Sequence, residues 1–180
     1  PNNFKKLASL FYDVSLPSNY TKEMDSEIFG LLFRGAFVCA HFMTGSQVLA
    51  VASTMSVPLD AATYTSFINL CSLEHATEVA VEIFDDMKRY CGPDGQPLAE
   101  NNNNTDTSRV NYVPTVMQYN ILLNVLIGYE YATKEDRALV PDILNDMHRL
   151  GVKPDALTEK ILTRLSTPVR QIPIDVRGST

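Results

Sequence analysis

Apolar residues recur along the chain at i, i+3, i+4, i+7, the spacing that lines up one face of an α-helix. Tyr64, Phe67, Ile68 and Cys71 make one such face, and Tyr119, Leu122, Leu123 and Leu126 repeat it with the same leading residue. Downstream of each stands a second face: Ala80, Ile83, Phe84 and Met87 in the first case, Val140, Ile143, Leu144 and Met147 in the other. Both end in Met. A further copy of this second face reads Val48, Val51, Ala52 and Met55, after an apolar helix around Ile28, Leu31 and Leu32. The unit is a helical hairpin used about three times. The pattern predicts an all-α chain with first-helix/second-helix pairs over 26–41/46–56, 62–74/76–90 and 116–131/134–150, plus a terminal helix. Each hairpin leaves an apolar face that only a neighbour can cover, so the hairpins are expected to stack in order as a right-handed α-solenoid.

The punctuation agrees with this division. Pro58-Leu59-Asp60, Val113-Pro114-Thr115 and Lys153-Pro154-Asp155 each stand before a predicted helix. There the Pro stops the preceding element and the Asp or Thr oxygen can accept from a helix-start amide. Gly151, four residues after Met147, suits a left-handed helix end. Residues 93–112 are polar and Asn-rich, with Asn101 to Asn104 consecutive. They read as a mobile insertion with no packed role, replaceable by a Gly-Ser linker at little cost. The organisation expected is an N-terminal segment at 1–25, a helical-repeat domain at 26–165 carrying that insertion, and an extended tail at 166–180.

Charge narrows the picture. The chain carries 15 basic and 21 acidic side chains. Residues 60–106 hold a net −7, and residues 147–180 a net +3. Phosphate contacts, if made, belong in that basic C-terminal fifth. From Gly35 to Leu59 there is no Asp, Glu, Lys or Arg. Thr44-Gly45-Ser46-Gln47 interrupts the run, so two buried helices joined by a turn are expected there rather than a membrane span. Cys39, Cys71 and Cys91 are too widely spaced for a metal or redox pair, which suits a reduced compartment. The first residue, Pro1 rather than Met, is what a processed or trimmed terminus would give.

Met117-Gln118-Tyr119-Asn120-Ile121-Leu122-Leu123, together with the run from Ile143 through Met147 to Gly151-Val152-Lys153-Pro154-Asp155, resembles the pentatricopeptide repeat. Residues 61–92 are similar through Thr63-Tyr64-Thr65, Ala80, Ile83-Phe84 and Met87. Three departures stand out: Tyr119 and Met147 stand further apart than Tyr64 and Met87, so that hairpin carries extra residues in its turn; Pro141 falls inside a second helix; and the first exit is broken by the Asn-rich insertion. The tetratricopeptide unit is the rival hairpin, but its Trp and Leu-Gly positions have no counterpart in a chain without Trp.

The resemblance implies a single-stranded RNA partner, each hairpin offering one side chain from its first helix and one from its exit to one unstacked base. Carried onto this chain, it makes Asn120 and Asp155 the leading base-reading pair and Thr65 with Thr115 a weaker one. A base would be sandwiched between Met117 and Leu157. Phosphate contacts are expected from Arg149, Lys153, Lys160 and Arg164. Helix chemistry alone also explains Asn120 and Asp155, and spacing does not separate the two readings.

Catalysis finds little support. His41, His75 and His148 have no metal-ligand spacing, Asp85-Asp86 and Glu135-Asp136 suit solvated helix faces, Cys71 belongs to an apolar stripe, and the more exposed Cys91 lacks a base nearby in sequence. No catalytic residue, metal, cofactor, small-molecule substrate or membrane partner is expected. Two functions follow from the resemblance. One is a non-catalytic subunit of a mitochondrial ribonucleoprotein, either the mitochondrial ribosome or an RNA-processing assembly, contacting RNA and neighbouring proteins. The other is a free-standing, sequence-specific RNA binder in an organelle. Acidic charge and few repeats favour the first.

Overall fold

A computed structural model describes residues 26–39, 42–54, 57–98, 111–128 and 132–166. The segment expected at 1–25, the tail beyond 166, the Asn run, His41 and Met55 lie outside the described residues. The described residues are all-α, with α1 at Ser26–Val38, α2 at Phe42–Thr54, α3 at Ala61–Cys71 and α4 at Thr77–Tyr90. They continue with α5 at Val116–Ile127, α6 at Lys134–Arg149, α7 at Ala156–Leu162 and a 3-10 turn at Thr163–Ser166.

The stripes predicted on α3 to α6 face the core, whereas α1 turns Phe29, Phe33 and Ala36 inward and leaves Ile28 and Leu31, expected on its apolar face, exposed. Tyr119, Leu122, Leu123 and Leu126 are fully enclosed on α5, as are Phe67, Ile68 and Cys71 on α3. Ala80, Phe84 and Met87 of α4 and Val140 and Met147 of α6 meet them in a single core. First helices pack in succession, α1 on α3, α3 on α5 and α5 on α7, while α2, α4 and α6 each pack on their own first helix. Phe84 and Tyr119 show how this works, their ring centroids lying 5.0 Å apart across α4 and α5.

The helix ends obey the expected chemistry. Asp60, Thr115 and Asp155 are the N-caps of α3, α5 and α7. At the end of α6, Gly151 adopts φ 73°, its N–H donating to His148 O and the Val152 N–H to Met147 O. These two bonds are the Schellman arrangement, which explains why a Gly and then a half-buried Val follow the helix. α6 runs through Pro141 without stopping.

Further expectations are corrected. The first hairpin turns between Val38 and Phe42, not at 44–47, because Gly45 lies inside α2 pressed against Leu70, where a Cβ would collide with Leu70 Cδ2. Gly is there for close approach, not for a turn. His75 sits in the turn between α3 and α4 at φ 51°, between the helices predicted at 62–74 and 76–90.

Both ends of the insertion are docked, contrary to its reading as unpacked. Gly95 O accepts from Ala61 N–H at 2.9 Å, Lys88 O accepts from Tyr112 N–H, and the buried Tyr112 hydroxyl donates to Gln118 Oε1 at 3.0 Å. Cys91, expected to be more exposed, is fully buried beneath this turn, its Sγ donating to Leu59 O. Burial pushes the Cys71 and Cys91 thiols up to about 12, far from a reactive thiolate.

A second brace joins α4, α5 and α6. Asp146 accepts from the Tyr119 hydroxyl at 2.8 Å and from Lys88 Nζ at 2.9 Å, and Arg149 closes on it at 2.6 Å. Burial alone would raise its pKa, but the hydrogen bonds from Arg149, Lys88 and Tyr119 outweigh that and hold the carboxyl below its ordinary range. A carboxyl depressed in the folded state stabilises above its unfolded pKa of about 4 and loses that contribution as pH falls through the lower folded value. Asp146→Asn should therefore cost about 1–2 kcal/mol at neutral pH. In urea titrations at a series of pH values the gap from wild type should close below about pH 4; a gap independent of pH would exclude the ionised carboxylate as its source.

The insertion makes its own prediction. Exchanging 99–110 for a short Gly-Ser linker should leave the Tm nearly unchanged, whereas Tyr112→Ala should cost about 3 kcal/mol, roughly 10 °C in a chain of this size. Equal losses from both changes in a thermal melt would refute the assignment of docking to the loop's ends.

Candidate functional site

The first helices α3, α5 and α7 begin with one repeated device, a cap followed three residues later by a buried polar side chain. The pairs are Asp60 with Thr63, Thr115 with Gln118, and Asp155 with Thr158. In each, the cap oxygen accepts from the N–H three residues on. In the last two the later side chain also accepts from the cap's own N–H, completing a capping box.

What the buried member does next sets the site. Gln118 Nε2 donates back to Thr65 Oγ1 on α3 at 2.9 Å. The Thr158 hydroxyl donates back to Asn120 Oδ1 on α5 at 2.7 Å. Thr63 reaches α1 where Gly30 leaves room, since a Cβ there would lie 2.9 Å from Thr63 Oγ1. Of the six buried polar residues in the described core, five belong to this series: Thr63, Thr65, Gln118, Asn120 and Thr158. The core's polarity is therefore devoted to fixing each first helix against the next.

The candidate residues separate into two groups. Asn120 and Asp155 come together, Asn120 Nδ2 donating to Asp155 Oδ1 at 3.0 Å. The Thr158 backbone N–H first, and then Asn120, hold the Asp155 carboxyl below its usual range. Met117 and Leu157 are exposed, at 60% and 51%, and line one cleft between α5 and α7 together with Asn120, Asn124, Lys160 and Arg164. The cleft measures about 260 Å³, near the lower end of small-ligand sites, roughly 300 Å³.

Thr65 and Thr115 are not paired with each other. Thr65 is buried, donating to Ala61 O and accepting from Gln118, and Thr115 is spent on the capping box. Arg149 is held by Asp146, and Lys153 is exposed on the loop before α7; neither lines the cleft. Arg164 does, with Nη1 donating to Asn124 Oδ1 at 3.1 Å and to Gly128 O at 2.9 Å.

Sequence reading missed Gln118, Thr158 and Asn124. For the first two the signal was present as the recurring cap-x-x-polar spacing. Asn124 carried none, because its role appears only when Arg164 reaches it from a helix 40 positions away in sequence.

Chemically, the cleft offers aliphatic walls for a flat ring and hydrogen-bond donors for its polar edge. No group of three or more His, Cys, Asp or Glu among the described residues could hold a metal, and no described helix is long and apolar enough to cross a membrane. The chain matches no model of a known family, and no curated protein is similar to it.

Because Asn120 holds both Asp155 and Thr158, Asn120→Ala should destabilise the fold by about 1–3 kcal/mol even without any ligand. Denaturant unfolding that leaves stability untouched would show that these two bonds contribute nothing and that Asn120 is reserved for recognition.

Proposed function

We propose that the chain is a non-catalytic, pentatricopeptide-like helical-repeat subunit of a mitochondrial ribonucleoprotein, the mitochondrial ribosome or an RNA-processing assembly. Its hairpins stack as a right-handed solenoid, and it contacts single-stranded or ribosomal RNA on one surface and protein neighbours on others. The observation that carries this reading is the α5–α7 cleft, where Met117, Leu157, Asn120 and Lys160 line one opening. A base can enter between the two aliphatic side chains, with a donor at its edge and a cation at its mouth.

Few contacts favour a subunit over a free RNA reader. At the equivalent position between α3 and α5 the linking Gln118 is spent on Thr65 Oγ1 and Met87 Sδ. One cleft contributes ~1–3 kcal/mol of stacking, too little to hold a transcript alone. Neighbouring subunits are expected on the acidic face of α4, where Glu78 and Glu82 stand, and on the exposed apolar residues Leu31, Val38 and Met43 of α1 and α2.

Electrophoretic shift titration of the chain against poly-U and poly-A at two salt concentrations tests the reading. Weak, salt-sensitive binding with little base preference is expected from the isolated chain, together with co-sedimentation with a ribonuclease-sensitive particle in mitochondrial extracts. Tight, base-dependent binding by the chain alone would replace this reading with that of a free-standing sequence-specific RNA binder. Absence of both binding and co-sedimentation would end it.

A further inference from the structure

Of the three Asn side chains that line the α5–α7 cleft, Asn120 and Asn124 have neighbours that fix which way each amide points. Asn120 Nδ2 faces a carboxylate, Asp155, which only accepts, and its Oδ1 takes the Thr158 hydroxyl. Asn124 Oδ1 faces a guanidinium, Arg164, which only donates. Neither amide can flip without setting donor against donor or acceptor against acceptor. Asn120 therefore has one N–H left for the cleft and Asn124 has its whole NH2 group. Lys160 adds an ammonium, and no carboxylate lines the space.

A cleft that offers fixed donors and positive charge selects a ligand rich in acceptors and negative charge. We propose that Asn124 and Lys160 seat a phosphate group of an RNA backbone at this cleft, with Arg164 as the positioning residue that turns Asn124 into a donor. This rests on the RNA reading above and deepens it by separating the phosphate end of the cleft from the base end at Met117 and Leu157. Gly128 bears on the same point: its carbonyl is the second anchor of Arg164, and a Cβ on it would collide with Asn124 Oδ1. Asn69, at the equivalent turn of α3, lines the cleft as well and extends the polar row.

The test uses the 15N-labelled full chain and follows the side-chain amide signals of Asn120 and Asn124 during titration with hexauridylate, uridine and inorganic phosphate. Hexauridylate should shift the Asn124 signals and uridine should not. Asn124→Asp retains an acceptor for Arg164 and so preserves the clamp, but sets a negative charge at the seat; it should weaken hexauridylate binding roughly tenfold with an unchanged melting temperature. Lys160→Gln should lower the slope of log affinity against log salt by about one phosphate contact. Arg164→Lys keeps the charge without the fork and should lose the characteristic Asn124 shift.

If hexauridylate binds but none of these variants alters its affinity or salt slope, the phosphate seat is wrong while the RNA reading stands. If inorganic phosphate shifts Asn124 and hexauridylate does not bind, the seat stands and the RNA reading falls. If neither binds, both fall.

Discussion

One kind of hydrogen bond governs how the first helices meet. Each helix start leaves amide N–H groups with no partner inside the helix. In α3, α5 and α7 the cap side chain takes one of them, which leaves the polar residue three positions on able to reach sideways. From buried positions it reaches the preceding first helix, Gln118 to Thr65 and Thr158 to Asn120. Sliding one helix past its neighbour by a single residue would strand that group, at a cost of about 1–3 kcal/mol, as well as mismatching the apolar stripes. Register between hairpins is set by these bonds; apolar burial supplies the attraction but is tolerant of small shifts.

The cleft follows from the same constraint. Between α3 and α5 the linking residue is Gln, whose long side chain reaches Thr65 and Met87. Between α5 and α7 it is Thr, which satisfies Asn120 from closer in and leaves space beyond. One repeated position thus carries the link in both pairs, through a long side chain in one and a short one in the other. Asn120 is consequently both a structural partner and, through its remaining N–H, a group available to a ligand.

Much of this was legible in the sequence, and the exceptions share a physical cause. The stripes on α3 to α6 were legible because period 3.6 is a property of one helix, and the caps and Gly151 because they act within a few residues. What local pattern does not carry is what crosses the chain. Gly45 reads as a turn until Leu70 is seen pressed against it. The insertion reads as unpacked by its composition, yet Gly95 and Tyr112 at its two ends bind α3 and the start of α5. Cys91 looks exposed because polar residues follow it, and it is buried because those residues fold back over it. Of the base-reading candidates, Asn120 and Asp155 were legible as a pair through the family resemblance. The engagement of Thr65 by Gln118, 53 positions away, was not.

The two sides of α5 are held differently, and this places the cleft. Toward α6 the helix is pinned by the Asp146 carboxylate, which gathers Tyr119, Lys88 and Arg149 into one half-buried cluster spanning three helices. Toward α7 it meets a helix of seven residues, held by the Thr158 link, the buried Ile161 and the Arg164 bridge to Gly128. So short a helix makes little apolar contact of its own, and it would separate readily without polar ties. Those ties are placed along the rim of the cleft, so the groups that keep α7 in position are also the ones that fix its donors. A ligand accepting from Asn124 and Lys160 would bridge α5 and α7, which couples recognition to the seating of the last helix.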